Sequence, residues 1–126
     1  MLQRDLIDYV RARGDAVVST LGPDGEPQAA YLSITATDAG ELVFDAKTGS
    51  RKVANLRRDP RIAVVVGGAD GTTLQLQGVA DFPTAAARER CADAYVAAFP
   101  QFADSLRSDD VVVIRVVVDW SRRFPD

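Results

Sequence analysis

Histidine is absent from this 126-residue chain, and cysteine occurs only once, at Cys91. Without histidine there is no Ser-His-Asp or Cys-His catalytic group, no histidine-ligated zinc or heme, and no histidine general base. A single cysteine excludes an internal disulfide, and the helical pattern that Cys91 shares with Tyr95 and Phe99 predicts a packed thiol. We therefore expect no metal site, and we expect a cofactor to carry the difficult chemical step if the chain is an enzyme.

The chain also lacks an excess of positive charge and a long apolar run. Its formal charge of −3 and its isoelectric point near 4.9 argue against a protein that coats nucleic acid or an anionic membrane. No apolar run approaches the roughly 20 residues of a membrane span, and residues 1–10 mix charged and apolar side chains at helical spacing, unlike a signal sequence. We expect one soluble, cytoplasmic domain over residues 1–126, with no nucleic-acid or membrane partner.

Basic residues are concentrated in one segment, because five of the fifteen Lys and Arg residues fall between Arg51 and Arg61. Ser50 precedes the first two of them at a predicted helix start. A hydroxyl residue at a helix N-terminus, followed at once by Arg and Lys, brings backbone N–H donors, the helix dipole and formal charge to one place. This pattern favours a phosphate site, and its alternative is a solvated basic helix face.

Hydrophobic periodicity and turn signals predict three helices and six strands. Asp59-Pro60 stops the second helix, and Gly22-Pro23-Asp24-Gly25 closes a hairpin. Six strands joined mainly by short turns favour an antiparallel barrel with peripheral helices, with an open α+β sheet as the alternative. The helices are predicted from Leu2 to near Gly14, over 50–58 and over 84–99, the strands over 16–21, 27–36, 41–46, 61–66, 72–82 and 110–118, and an arginine-rich tail over 120–125.

Residues 43–52, continuing through Asn55-Leu56 to Asp59-Pro60-Arg61 and an apolar strand, resemble the flavin-phosphate segment of the pyridoxamine 5′-phosphate oxidase-related split-barrel flavoproteins. The Gly25-Glu26-Pro27 strand entry and the strand over 74–80 have counterparts there. The resemblance covers residues 14–82 well and the last third in outline. It implies a mainly β (α+β) six-stranded split barrel, FMN bound at a homodimer interface, and hydride transfer with a small-molecule substrate.

The resemblance also implies which residues hold the cofactor. In that family, the residues that match Arg51 and Lys52 bind the flavin phosphate, and the chemistry of a guanidinium fork and an ammonium point charge agrees with this role. No catalytic residue is implied. Tyr31 has a second interpretation, as a tyrosine of the barrel or dimer core. The cofactor-binding residues implied are Ser50, Arg51, Lys52, Tyr31, Leu32, Ser33, Asp45, Ala46, Thr73 and Gln75.

Two departures from the family pattern argue against vitamin B6 oxidation. The family's oxidases carry an Arg where this chain has Gln28-Ala29-Ala30, and they hold substrate with a C-terminal Arg-x-His that a histidine-free chain lacks. We expect a small flavin-dependent oxidoreductase whose substrate the sequence does not specify. Trp120 and Arg123 either close the partner's pocket or act as an aromatic anchor and a solvated arginine.

Three alternatives stand beside this expectation. The first is a deazaflavin-dependent reductase of the same fold, whose longer anionic tail would also favour the cluster of Arg51, Lys52, Arg57 and Arg58. The second is a non-catalytic protein that binds or stores flavin, motivated by the lack of an evident acid, base or substrate clamp. The third is an interaction domain without a cofactor, while the missing histidine disfavours a heme-binding split barrel.

Overall fold

Seven antiparallel strands form one curled sheet in the computed structural model, which describes all 126 residues. Across the sheet the strands follow the order β2-β1-β5-β6-β7-β4-β3. No helix is long and apolar enough to cross a membrane. The elements are α1 Gln3–Arg13, β1 Asp15–Leu21, β2 Pro27–Ser33, β3 Thr35–Ala36, β4 Leu42–Lys47, α2 Arg51–Arg58, β5 Arg61–Gly67, β6 Thr73–Asp81, α3 Ala85–Ala98 and β7 Val111–Phe124, with 3₁₀ turns at Pro100–Phe102 and Ser105–Arg107.

The two edge strands of the sheet, β2 and β3, are joined by a single residue, Ile34. The sheet must therefore curl until its edges almost meet, which confirms the predicted split barrel. The Ile34 N–H donates to the Gly14 carbonyl at 3.0 Å. Before Ile34 the chain pairs with β1, as strand β2, and after it the chain pairs with β4, as strand β3. This break divides the predicted strand over 27–36, and the sheet has seven strands where six were predicted.

The predicted arginine-rich tail is the second half of strand β7. Residues up to Phe124 pair with β6, where Trp120 lies opposite Gln77 and Val118 lies opposite Gly78. Asp119 is therefore an extra residue in a β-bulge. A Cβ at Gly78 would lie 2.4 Å from the Val117 carbonyl oxygen, so only glycine fits opposite the bulge.

Local signals place the ends of the first two helices correctly. Gly14 ends α1 with a φ of 74°, a left-handed conformation that favours glycine. The Ser50 side chain caps α2 by accepting a hydrogen bond from the Val53 N–H at 3.4 Å. The strand that follows α2 begins at Arg61, as predicted.

A group of paired charges holds α3 against the barrel. The Glu41 carboxylate accepts hydrogen bonds from Arg90 of α3, from the Thr37 hydroxyl at 2.8 Å and from Arg115 of β7 at 3.2 Å. Arg115 also forks onto Asp81, at 2.9 and 2.7 Å. The hydrogen bond from Arg90 is the main cause that lowers the pKa of Glu41 below its usual 4.5, against the opposing effect of burial.

We expect Glu41→Gln to lower the free energy of unfolding at pH 7 by about 1–2 kcal/mol, because an amide replaces the charged acceptor of two guanidinium groups. A carboxylate whose pKa is lowered by folding stabilises the fold above its unfolded pKa, and this stabilisation is lost as the pH falls through the folded value. The difference from wild type should therefore shrink below about pH 4.5. Urea unfolding followed by circular dichroism at a series of pH values measures it.

The matched control is Glu89→Gln, the same change at an exposed position of α3 that makes no side-chain hydrogen bond. We expect this control to stay within about 0.5 kcal/mol of wild type at every pH. A Glu41→Gln deficit that is the same at pH 3.5 and pH 7 would contradict the assignment of the stabilisation to the ionised carboxylate.

Candidate functional site

The start of α2 lies beside the free edge of β2. Between them is a cleft of about 100 Å³, lined by Gln28, Ala29 and Ala30 of β2 and by Arg51 and Lys52 of α2. We call it the α2–β2 cleft. Because β2 is an edge strand, the backbone N–H and C=O groups along its free edge have no neighbouring strand to pair with. The cleft therefore brings two cations, the first turn of a helix and an unpaired strand edge together.

Arg51 and Lys52 make no salt bridge with any carboxylate of the chain. Ser50, the third residue predicted to hold a phosphate, adjoins them as the cap of the same helix. A helix N-terminus with two uncompensated cations attracts an anion through its N–H groups, its dipole and its charge. The structure thus brings the three predicted phosphate residues together at one end of one element.

The other three cations of the basic segment have partners within the chain. The Arg57 guanidinium lies 4.1 Å from the centre of the Phe82 ring, and Arg58 donates to the Leu21 carbonyl at 3.2 Å. Arg61 forks onto Asp59, with its shortest contact at 2.6 Å, and this hydrogen bonding lowers the pKa of Asp59 to about 2. The basic segment therefore divides into two free cations and three that serve the fold.

Tyr31 lies on the outer side of the barrel wall and is 72% exposed. Its hydroxyl donates a hydrogen bond to the Asp15 carboxylate, which is the main cause that raises the pKa of Tyr31. The tyrosine is therefore protonated at neutral pH, with its one O–H donor directed to Asp15. In the register, Tyr31 lies opposite Val17, which lies opposite Val65, which in turn lies opposite Gln75.

This outer side exposes large side chains on five neighbouring strands, with Gln75 and Gln77 among them. Val17, Val65, Val79 and Val117 are 42%, 43%, 45% and 52% exposed, whereas the residues that alternate with the first three are buried in the barrel. An uncovered apolar area of this kind marks an interaction or ligand surface more often than a plain solvent face. We call this area the outer sheet face; its large exposed residues are Tyr31, Val17, Val65, Val79, Val117 and Trp120.

Three of the remaining predicted residues lie on β2 and β6. Ser33 and Thr73 are on the outer side of the barrel wall, each two residues along its strand from Tyr31 or Gln75. Leu32 is half-buried on the opposite side of β2. Since β6 is three strands from β2, Thr73 and Gln75 lie roughly 14 Å from it along the sheet. One copy of the chain does not bring the β6 residues to the α2–β2 cleft.

Asp45 and Ala46 line a separate cavity of about 300 Å³. The Asp45 carboxylate accepts a hydrogen bond from the Tyr95 hydroxyl of α3 at 3.2 Å. Burial, and then the Asp45 charge, raise the pKa of Tyr95. The Asp45 side chain thus helps to fix α3, and its predicted main-chain role toward a cofactor stays a prediction. Lys47, Phe102, Ser105 and Val111 complete this cavity.

The two aromatic and cationic residues singled out in the tail lie on different sides of β7. Trp120 is 43% exposed on the outer sheet face, opposite Gln77. Arg123 lies on the other side, with its guanidinium 5.2 Å from the centre of the Tyr9 ring. Arg122, which lies opposite Gln75, is the tail arginine on the outer side. Arg123 is exposed, so its interpretation as a solvated arginine and its alternative at a partner's pocket both stay predictions.

Gln28 and Asn55 were not among the predicted site residues. Gln28 lines the α2–β2 cleft, and the Asn55 amide donates to it at 2.9 Å from inside the barrel wall. Asn55 is only 3% exposed. The sequence could have indicated Asn55, because it is a polar residue next to Val53 and Leu56, the two apolar residues that predict the buried side of α2.

The largest cavity, of about 820 Å³, is a groove between α1 and α3. Three of its four charged residues are paired within the chain, since Arg11 pairs with Asp38 at 2.8 Å and Arg90 pairs with Glu41, while the fourth, Asp93, is exposed. No buried polar side-chain atom in the protein lacks a hydrogen-bond partner. Nothing in this groove calls for a ligand, so the α2–β2 cleft is the stronger candidate.

A curled antiparallel sheet whose edges almost meet, with helices around it, defines a split-barrel protein, and the cationic cleft at the start of α2 is its candidate anion site. Residues 5–123 match the family model described as pyridoxamine 5′-phosphate oxidase. The chain belongs to this family, which confirms the resemblance. No protein with curated annotation is significantly similar to it in sequence.

Several solved structures share the fold. A conserved hypothetical protein of Mycobacterium tuberculosis is 24% identical, with a TM-score of 0.81 over 98% of this chain and 84% of the other. A heme-binding protein of Mycobacterium smegmatis is 20% identical, with a TM-score of 0.83 over 98% of this chain and 54% of the other. The heme storage protein of Vibrio cholerae is 16% identical, with a TM-score of 0.78 over 98% and 92%. At these identities the likeness establishes the fold alone.

Proposed function

We propose that this protein is a homodimeric flavin-dependent oxidoreductase that binds FMN, with the phosphate in the α2–β2 cleft and the ring against the outer sheet face. One observation carries the proposal. Arg51 and Lys52, the two cations of the basic segment whose side chains have no partner within the chain, line the same cleft at the start of α2. Family membership makes a flavin the leading anionic cofactor to consider.

The donors of the cleft fit a terminal phosphate. Arg51 can fork onto two phosphate oxygens, Lys52 contributes a point charge, and Ser50 adds the capped helix start. A volume of about 100 Å³ is far below the 300–1,000 Å³ of pockets for drug-sized ligands, so the cleft takes the phosphate and not a three-ring system. The ring must therefore lie outside it.

FMN fits these residues better than a deazaflavin with a long anionic tail. Such a tail would use Arg57 and Arg58 as well as the first two cations. The Arg57 side chain packs on Phe82, and Arg58 donates to Leu21 and Asn55, and neither lines the α2–β2 cleft. The positive charge that lines the cleft comes from Arg51 and Lys52 alone, which suits one phosphate.

The outer sheet face supports a homodimer with the flavin ring at its interface. Its apolar residues are uncovered in the single chain, and a second copy would cover them. A partner would also supply the second group of predicted residues, Thr73 and Gln75, which one copy keeps roughly 14 Å from β2. When bound, FMN supplies hydride transfer to or from a small substrate. The chain holds the phosphate, covers the ring and excludes water.

Non-catalytic flavin binding is a second candidate function. Tyr31 lies beside the proposed ring position, and it is protonated at neutral pH because its pKa is raised. It therefore supplies no base there, and the neighbouring Asp15 carboxylate is the acceptor of its hydrogen bond. Turnover of an electron acceptor by the reduced, FMN-loaded protein would support the oxidoreductase, and flavin binding without turnover would support storage.

A titration of the flavin-free protein tests the proposal. We expect FMN to bind with a micromolar or lower Kd, and riboflavin, which lacks the phosphate, to bind at least about 100-fold more weakly, because two charge-assisted hydrogen bonds are lost. A deazaflavin cofactor with its anionic tail should bind more weakly than FMN. Quenching of flavin fluorescence gives each Kd, and equal affinities for FMN and riboflavin would contradict a phosphate role for the cleft.

A further inference from the structure

Gln28 lines the α2–β2 cleft, within the stretch Gln28-Ala29-Ala30 where the resemblance implies an arginine in the family's oxidases. A glutamine side chain carries a carbonyl oxygen at one branch and an NH₂ group at the other, so its value to an anion depends on which branch faces the cleft. In this protein the orientation is set by hydrogen bonds that begin at Arg58 and pass through Asn55.

The direction of these hydrogen bonds follows from donor chemistry. The Arg58 guanidinium has donors only, and it donates to the Asn55 Oδ1 at 2.9 Å. The Asn55 carbonyl end must therefore face Arg58, which leaves its Nδ2 to donate to the Thr20 hydroxyl at 2.9 Å and to the Gln28 Oε1 at 2.9 Å. Thr20 and Asn55 are both buried, so these bonds exclude water.

The consequence for Gln28 is a fixed polarity. Its Oε1 is taken by Asn55, and its Nε2 is left as a donor whose partner within the chain is Glu26, at a long 3.3 Å. The second hydrogen of this NH₂ group has no acceptor within the chain, so it is available to an anion beside Arg51 and Lys52.

We infer that Gln28 is a specificity residue of the cleft, a neutral donor that Arg58 and Asn55 orient toward a phosphate monoester. This inference rests on the proposed FMN function. Two cations match the two charges of a terminal phosphate, and a third, uncharged donor serves its third oxygen. A phosphodiester or a carboxylate offers fewer charges or oxygens to the same donors, so the cleft selects a terminal phosphate.

Gln28→Glu is the sharpest test, because the new carboxylate still accepts the hydrogen bond from Asn55 while it presents a negative charge to the cleft. We expect the FMN Kd, from fluorescence quenching, to rise at least about 10-fold, and the riboflavin Kd to change less than about twofold. Gln101→Glu, the same change at an exposed residue of the 3₁₀ turn Pro100–Phe102, is the control, and both its Kd values should match wild type.

Asn55→Asp tests the orientation itself. An aspartate accepts from Arg58 and cannot donate to Gln28, so Gln28 turns its NH₂ inward and its carbonyl oxygen toward the cleft. We expect weaker FMN binding with unchanged riboflavin binding in a folded variant, as judged by circular dichroism. Should Asn55→Asp not fold, Gln28→Glu decides alone.

The two proposals fail in different ways. If Gln28→Glu binds FMN within threefold of wild type, or loses riboflavin affinity in equal proportion, the role of Gln28 is overturned. If the wild-type protein itself does not distinguish FMN from riboflavin, the proposed phosphate site in the α2–β2 cleft is wrong, and the role of Gln28 is wrong with it.

Discussion

Replacing Arg51 and Lys52 together by alanine should raise the FMN Kd at least about 100-fold while the fold stays intact. Each side chain would lose a charge-assisted hydrogen bond to the phosphate, worth about 1.5–3 kcal/mol. Neither residue pairs with a carboxylate of the chain, and Arg51 is exposed. The unfolding free energy should therefore change by less than about 1 kcal/mol. Fluorescence quenching by the protein and urea unfolding measure the two effects.

The matched control for this double variant is Arg57→Ala in the same short helix. It removes a cation that packs on Phe82, so we expect FMN affinity within about threefold of wild type and a small loss of stability, of about 0.5–1 kcal/mol. Full FMN affinity in the double variant would place the phosphate elsewhere. If the double variant and the control lose FMN affinity equally, the effect comes from general positive charge and not from the cleft.

Val65→Asp should convert the proposed homodimer into a monomer. Val65 lies near the middle of the outer sheet face, opposite Val17 and Gln75 in the register. If a second copy covers this face, the carboxylate is buried against apolar residues, which costs several kcal/mol for each copy. We expect the dimer dissociation constant to rise by at least about 1,000-fold. Sedimentation equilibrium measures it, and FMN affinity should fall with it because the ring would lose the partner's residues.

Leu2→Asp is the control for the dimer, because Leu2 is a large exposed apolar residue outside the outer sheet face, 72% exposed. This variant should sediment like wild type. Circular dichroism has to show that Val65→Asp keeps the barrel, since aspartate is poorly suited to a strand. A wild-type chain that stays monomeric at 100 μM, or a Val65→Asp variant that stays dimeric, would contradict the proposed interface.

The parts of the fold that sequence predicted well depend on neighbours in the chain. Ser50 caps α2, Asp59-Pro60 ends it, and Gly14 ends α1, because caps and breakers act within a few residues. The parts that were wrong depend on distant partners. The strand break at Ile34 follows from its bond to Gly14, and the extension of β7 follows from its pairing with β6.

The candidate site shows the same division. Arg51 and Lys52 could be predicted from a local motif. That Arg57 and Arg58 serve the fold could not, because their partners, Phe82 and Leu21, lie 25 and 37 residues away and no pattern along the chain links them. The role proposed for Gln28 could not be predicted for the same reason, since its orientation is set by Asn55, which lies 27 residues away in the chain.

The single-residue link at Ile34 makes the α2–β2 cleft a product of curvature. In the order of the sheet β2 is first and β4 is sixth, so in a flat sheet they would be roughly 24 Å apart. The two cations follow β4 in the chain, and they reach β2 only because the sheet bends round on itself. The basic segment is continuous in sequence, yet its cleft exists only once the ring of strands has closed. Affinity for a phosphate therefore reports how completely the barrel has closed. A ligand bound in the cleft would in turn stabilise the closed barrel, because it contacts both β2 and the helix that follows β4.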